Sequence, residues 1–253
     1  MSPTTAAVIS VVLLVFLFIM RMPVAYAMGL VGLLGFSYVV SAGSGLSLLA
    51  RDLWSLFGSY SLSVVPMFIL MGTIAFYSGM SSRLFDVAFK FLGHRRGGLC
   101  LATILACAGF GAICGSTNAA AAAMGKVTLP EMKKHDYDPS LATGSVASAG
   151  TLAILIPPST ILIIYGILTE ESIGKLFAAG ILPGALLTTL FAIAVHVVCW
   201  LKPALAPTGA KATWQERMAS LPSVIGVLLL FLFVMAGLFL GWFTPTEAGA
   251  AGA

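Results

Sequence analysis

Between Leu99 and Thr169 a strongly apolar sequence is interrupted twice by polar or helix-breaking residues. Leu99–Gly125 carries Gly111, Gly115, Ser116, Thr117 and Asn118 in the middle of an otherwise apolar run. A charged link follows, and then Ser148–Leu168 is broken at Ile156-Pro157-Pro158-Ser159-Thr160. Hydrocarbon offers no partner to free backbone N–H and C=O groups. A broken helix therefore persists at membrane depth only where it is buried in protein or lines a cavity.

The membrane setting follows from composition. Of 253 residues, 59% are hydrophobic and 9% charged, against about 25% charged in a soluble domain. The net charge of +4 is dispersed in short clusters between apolar spans, a pattern that reports membrane orientation and gives no basis for nucleic-acid binding. Cys100, Cys107, Cys114 and Cys199 all lie in apolar segments without a CxxC or Cys/His pairing, so they read as small buried hydrophobes. His196 interrupts an apolar helix, which makes it a candidate by default, yet no acidic residue lies near it in sequence. Thr5–Met20 reads as a retained helix rather than a signal peptide, because Arg21 follows the apolar run and no basic residue precedes it.

A spanning helix needs about 20 apolar residues. Thr5–Met20, Pro23–Val40, Leu62–Tyr77, Leu182–Leu201 and Ser223–Trp242 qualify. Pro23 suits a first helical turn, and Pro66 and Pro183 are placed near helix starts. Leu46–Phe57, Ser81–Leu92 and Trp214–Leu221 read as amphipathic helices at the interface or as connecting arms. The link Lys202–Lys211 separates the last of these from the span before it.

Charge tests whether Leu99–Gly125 crosses or re-enters. With the N-terminus outside and the segment entering and leaving on one face, only Arg51 and Lys175 of the 13 Lys and Arg residues lie outside. With a full crossing the split becomes about even. Cytoplasmic loops should hold the excess, so the segment reads as a re-entrant hairpin. As a straight helix its roughly 27 residues would reach about 40 Å, beyond the roughly 30 Å hydrocarbon core. Two half-helices meeting near Gly115–Asn118 fit instead, with Gly111 and Gly115 admitting close backbone approach. The run Ala119–Ala123 then aims a helix N-terminus at the tip, with Thr117 or Asn118 as its cap. In the second segment Pro157 and Pro158 remove two N–H donors and free carbonyls one turn earlier. With the hydroxyls of Ser159 and Thr160 these are hard oxygen ligands suited to Na⁺.

All nine acidic residues fall in links or near the termini, which disfavours a carboxylate proton relay and any intramembrane enzyme. Two adjacent broken segments are what an ion and anion site in a secondary transporter requires. The expected fold is an all-α polytopic membrane protein with spanning helices, a re-entrant helical hairpin and a broken helix. Residues 1–98 read as scaffold-like spans and arms. Residues 99–180 read as the transport-like hairpin and broken helix, and 181–253 as further spans.

Several runs resemble the large membrane subunit of tripartite ATP-independent periplasmic (TRAP) transporters. They are Gly111-Ala112-Ile113-Cys114-Gly115-Ser116-Thr117-Asn118-Ala119, Leu129-Pro130-Glu131-Met132, His135-Asp136-Tyr137-Asp138 and Leu155-Ile156-Pro157-Pro158-Ser159. The likeness continues through Tyr165-Gly166, Leu176-Phe177-Ala178-Ala179-Gly180, Pro183-Gly184 and Phe243-Thr244-Pro245-Thr246-Glu247-Ala248-Gly249-Ala250. The resemblance implies one repeat of an inverted-repeat, elevator-type transporter in a bacterial inner membrane. It implies Na⁺ as coupling ion and no other cofactor, and small organic acid anions such as C4-dicarboxylates, keto acids or sialic acid-like acids as substrate. The implied partners are a small four-helix membrane subunit and a periplasmic substrate-binding protein. By this likeness the Gly115–Asn118 tip and the Pro157–Ser159 break form one Na⁺ site and one wall of the substrate pocket; with the residues read above, the sodium and substrate candidates are Gly111, Gly115, Ser116, Thr117, Asn118, Ile156, Pro157, Pro158, Ser159 and Thr160. Phe243–Ala253 resembles the entrance to a second repeat, so the sequence reads as an N-terminal half. The competing readings are a divalent-anion/sodium symporter that needs no binding protein, and a non-transporting scaffold subunit.

Overall fold

A computed structural model describes residues 3–209 and 211–253. It is helical throughout, with no strand among the described residues. Positions 1 and 2, and position 210 in the link Lys202–Lys211, lie outside them. The chain forms two units, Met1–Tyr60 and Ser61–Ala253.

The first unit is a run of three helices, α1 (Pro3–Ile19), α2 (Val24–Val39) and α3 (Ala42–Phe57). The first two are apolar all round, as lipid-facing helices are, and bury only a few small side chains such as Ala6, Ala27 and Val31. Pro23 stands at the N-cap of α2, one residue earlier than its expected first-turn position. Ser41 caps α3 by accepting the Ser44 N–H at 3.1 Å.

The second unit holds α4 (Val64–Tyr77), α5 (Met80–Leu92), α6 (Gly98–Cys114), α7 (Thr117–Lys134) and α8 (Pro139–Gly150). It continues with α9 (Leu152–Leu155), α10 (Thr160–Thr169), α11 (Ile173–Leu201), α12 (Trp214–Ser220), α13 (Pro222–Phe239) and α14 (Pro245–Gly252). Among the described residues four helical segments are long and apolar enough to cross a membrane: Tyr60–Tyr77, Pro139–Thr169, Ile173–Leu201 and Trp214–Phe239. This is an all-α, multi-pass membrane protein.

The core of the second unit is α6. It is buried along nearly its whole length, with α4, α5, α7, α8, α9 and α11 all packed on it. A half-helix walled in by protein can end at membrane depth, because its terminal carbonyls meet protein partners and not lipid. The opposite case is α11, 29 residues or roughly 43 Å long, whose side chains mostly face outward.

Two boundaries differ from expectation. The helix after the hairpin tip does not stop at Gly125; α7 runs through the charged residues to Lys134, with Pro130 inside it. Lys133 and Lys134 in its last turn suit the negative helix end. Pro183 lies well inside α11 and not at its start. Glycines flank it where α11 meets the broken segment: a methyl group on Gly180 would stand 2.7 Å from the Leu155 carbonyl oxygen. The expected span Leu182–Leu201 is therefore the C-terminal two thirds of a longer helix.

Candidate functional site

The hairpin tip is two residues long. Gly115 ends α6 in the left-handed conformation (φ 57°), its N–H donating to the Gly111 carbonyl at 3.0 Å. Ser116 is then extended and begins α7. The cap is Ser116, not Thr117 or Asn118: its Oγ accepts the Ala119 N–H, at a long 3.5 Å. The left-handed glycine forces the next residue to be the turn-out position, and this selects among three residues that all make good caps. Thr117 is the first helical residue, and its Oγ1 is buried without a hydrogen-bond partner. Asn118 is exposed.

The broken segment is built by the two prolines. After α9 the chain turns extended at Ile156, passes through a cis Pro157–Pro158 peptide, and restarts at Thr160 with Ser159 as N-cap. Ser159 is fully buried. Its hydroxyl donates to the Ile154 carbonyl at 2.6 Å, the group that Pro158 leaves without an amide, and accepts the Leu162 N–H at 3.4 Å. One of the two freed carbonyls is thus satisfied by the Ser159 proton.

The tip and the break meet. Thr160 donates its backbone N–H (3.2 Å) and its hydroxyl (2.9 Å) to the Gly115 carbonyl oxygen. A methyl group on Gly115 would lie 2.7 Å from the Pro158 carbonyl oxygen and 3.3 Å from Ser159 Cα. Gly111 permits the same closeness one turn back, where a methyl group would lie 2.7 Å from Ala153 Cα. Of the ten sequence-selected residues, Gly111, Gly115, Pro158, Ser159 and Thr160 therefore form one junction, with Ser116 and Thr117 beside it. Ile156 and Pro157 turn toward α11, where Ile156 packs at Gly184 and Pro157 near Gly180.

Sequence reasoning missed the wall opposite the tip. Gly72 of α4 packs against Cys114, where an added methyl would come within 2.9 Å of the Cα. Beside this contact lies a cavity of about 340 Å³, lined by Gly72, Thr73, Phe76 and Tyr77 of α4 and by Cys114, Ser116, Ala119, Ala122, Ala123 and Lys126 of the hairpin. Ser116, Ala119, Ala122, Ala123 and Lys126 recur at helical spacing on one face of α7. Lys126 is the only charged residue of the lining, and its ammonium stands 5.6 Å from the Phe76 ring centre, a cation–π distance. A glycine inside an apolar helix and a lysine at i+10 from a serine were the available signals.

The base of the hairpin is pinned from elsewhere in the chain. The Leu99 N–H donates to the Tyr137 hydroxyl at 3.3 Å. Burial pushes that phenol up to about 12, so it stays protonated. The Asp138 N–H donates to the Leu205 carbonyl (3.0 Å), and the Gly209 N–H to that of Gly93 (3.1 Å).

Comparison with known families decides what carries this geometry. The model described as "Tripartite ATP-independent periplasmic transporter, DctM component" matches residues 11–253. The chain belongs to this family. TRAP large permeases are transporter components, not enzymes. Among relatives, the "C4-dicarboxylate TRAP transporter large permease protein DctM" of Pseudomonas aeruginosa is 38% identical over 205 residues, 81% of this chain and 48% of that protein. Its Vibrio cholerae namesake is 33% identical over 243 residues, 96% of this chain and 53% of that protein. The "Ectoine TRAP transporter large permease protein TeaC" of Halomonas elongata is 34% identical over 243 residues, 96% and 56% respectively. The chain thus spans about half the length of the TRAP permeases it matches.

Proposed function

We propose that this chain supplies the first ion- and substrate-binding half-site of a sodium-coupled permease for small organic acids in a bacterial inner membrane. The observation that carries the reading is the double hydrogen bond from Thr160 to Gly115, which ties two broken segments into one oxygen-rich junction. Na⁺ is a hard cation and takes oxygen ligands. Around Gly115 the fold leaves the Thr117 hydroxyl without a partner and sets the Pro158 carbonyl against the tip. These two oxygens, with the Ser116 and Thr160 hydroxyls, are the ligands we assign, and Ser159 braces the break.

The neighbouring cavity is the proposed substrate wall. Ser116 stands at one end and Lys126 at the other, with the positive end of α7 beside it, so the lining favours an anion. Relatives are named for C4-dicarboxylates and for ectoine, so family membership alone does not choose the substrate. The single cation in the cavity is our reason for preferring an organic acid. Residues 99–180 would act as the moving transport part and 1–98 as scaffold, in the elevator manner of an inverted-repeat transporter. A periplasmic binding protein would deliver substrate, and a small four-helix membrane subunit would steady the assembly.

The test is uptake of labelled C4-dicarboxylate into proteoliposomes holding the large permease, the small subunit and the binding protein. An inward Na⁺ gradient should drive accumulation, and replacing Na⁺ by K⁺ should abolish it. Equal uptake in both salts would refute the coupling. Uptake without the binding protein would favour a divalent-anion/sodium symporter.

A further inference from the structure

Away from the hairpin tip, cations from two distant segments converge on one histidine. His94, Arg95 and Arg96 form the turn between α5 and α6, and Arg217 comes from α12. The Arg217 guanidinium reaches His94 Nδ1 at 3.3 Å across 123 residues of sequence and lies 5.9 Å from the Phe91 ring centre. Desolvation first, and then the charges of Arg217, Arg95 and Lys211, hold His94 below the ordinary imidazole value, so all three cations are within its electrostatic reach. Lys90 belongs to the same neighbourhood, since its charge acts on Glu216.

Asp86 and Glu216 answer Lys90, but among the described residues no carboxylate forms an ion pair with Arg95, Lys211 or Arg217. Among the described residues the ion pair present is Lys134–Glu131, elsewhere on α7. Glu216, adjacent to Arg217 in sequence, turns its Oε2 to the Thr213 N–H (2.7 Å) and hydroxyl (2.9 Å), away from any ion pair with Arg217. Arg217 Nε is buried and has no hydrogen-bond partner. A buried guanidinium N–H without an acceptor is costly, and an orphan donor among unpaired cations asks for an anion from outside. A bias of basic residues to one membrane face explains that such residues are present. It does not explain why residues so far apart in the chain gather around one imidazole.

The cluster also lies at the ends of two apolar helical segments. Arg217 and the exposed Trp214 begin the Trp214–Phe239 span, and the His94–Arg96 turn leads directly into α6. Aromatic rings and basic residues at span ends mark the interface, and basic pockets between helices there bind anionic headgroups. We propose that His94, Arg95, Lys211 and Arg217 form a binding site for the phosphate of an anionic phospholipid headgroup. The lipid would bridge the α5–α6 turn to α12, and so tie the base of the hairpin to the last arm helix.

The experiment measures binding of a short-chain phosphatidylglycerol to the purified chain in detergent, against phosphatidylcholine of the same chain length. The wild type should prefer phosphatidylglycerol. Arg95→Gln with Lys211→Gln, both exposed positions, should weaken phosphatidylglycerol binding about thirty-fold, the loss expected for two interfacial cations. Lys133→Gln with Lys134→Gln, a matched charge loss on α7, should change it less than about two-fold. Unaltered helical circular dichroism and melting in both double variants show that the fold is kept. Equal affinity for the two lipids, or equal loss in the two double variants, would overturn the site. Inorganic phosphate displacing the lipid at comparable concentration would overturn the lipid and leave a site for free phosphate.

Discussion

Thr160 places two hydrogen bonds on the carbonyl oxygen of Gly115, one from its N–H at 3.2 Å and one from its hydroxyl at 2.9 Å, across 45 residues of sequence. Both acceptor sites of that carbonyl are thereby filled by one residue, at a helix end that lipid could not have satisfied. The hairpin tip and the broken helix are one structural object because of this contact.

Gly115→Ala should disrupt the junction more than left-handed strain alone accounts for. The added methyl would meet the Pro158 carbonyl oxygen at 2.7 Å in a backbone already at φ 57°. Gly79 is the matched control, at φ 77° with no atom within 4 Å of an added methyl. Gly79→Ala should cost ~1–2 kcal/mol, the penalty of a side chain in that conformation. Gly115→Ala should cost a further ~1–3 kcal/mol, the scale of an overpacked core. Thermal unfolding of the two variants in detergent checks the difference, and equal losses would show that the junction yields freely.

Thr160→Val keeps the shape and the N–H donor but removes the hydroxyl. One acceptor site of the Gly115 carbonyl is then left empty in a buried setting, at a cost of ~1–3 kcal/mol. Thr160→Ser should recover most of it. Denaturant or thermal titration of the pair separates hydroxyl from methyl, and a Ser variant no better than Val would assign the effect to packing.

Asp138→Ala tests the base of the hairpin. Its Oδ1 accepts the Ser140 and Leu141 N–H groups at 2.9 and 3.2 Å at the start of α8. Loss of such a cap costs ~1 kcal/mol. Hydrogen exchange should quicken at Ser140 and Leu141 while the Gly115 and Thr160 amides stay protected.

Two capping boxes give a pH dependence with a defined sign. Glu216 and Glu247 each accept the N–H and hydroxyl of a threonine N-cap, Thr213 and Thr244. Those hydrogen bonds hold both carboxyls below the ordinary glutamate value. A carboxyl lowered on folding adds stability above its unfolded pKa and loses it as pH falls through the folded one. The first turns of α12 and α14 should therefore stay ordered at neutral pH and fray on acidification below the ordinary glutamate range. The carboxyl carbon shifts of both residues report the titration, and midpoints at or above the ordinary value would contradict the boxes.

The turn between α6 and α7 was legible because Gly111, Gly115 and the Ser116–Asn118 polar run stand in an apolar segment. The far end of α7 was not. Hydropathy marks where hydrocarbon stops, whereas the hydrogen-bond ladder of α7 continues past Gly125 to Lys134. The position of Pro183 misled for a related reason: near a helix start is the usual soluble placement, but neighbouring helices let a membrane helix carry proline in its interior. The cap expected at Thr117 or Asn118 falls instead at Ser116, because the left-handed Gly115 makes the very next residue the start of the new helix, and no local signal marks that conformation. No local signal announced the Gly115–Thr160 pairing or the α4 wall with Gly72, since contacts between distant segments leave only small residues as their trace.

The most direct test of the junction as a sodium site is the melting temperature of the purified chain in NaCl and in KCl at equal ionic strength. Sodium that binds the folded junction and not the unfolded chain should stabilise it by about 1.4 kcal/mol at ten times its Kd. That increment should disappear in Thr160→Val while the variant still folds. Identical melting in the two salts for the wild type, or an undiminished Na⁺ increment in Thr160→Val, would contradict the assignment.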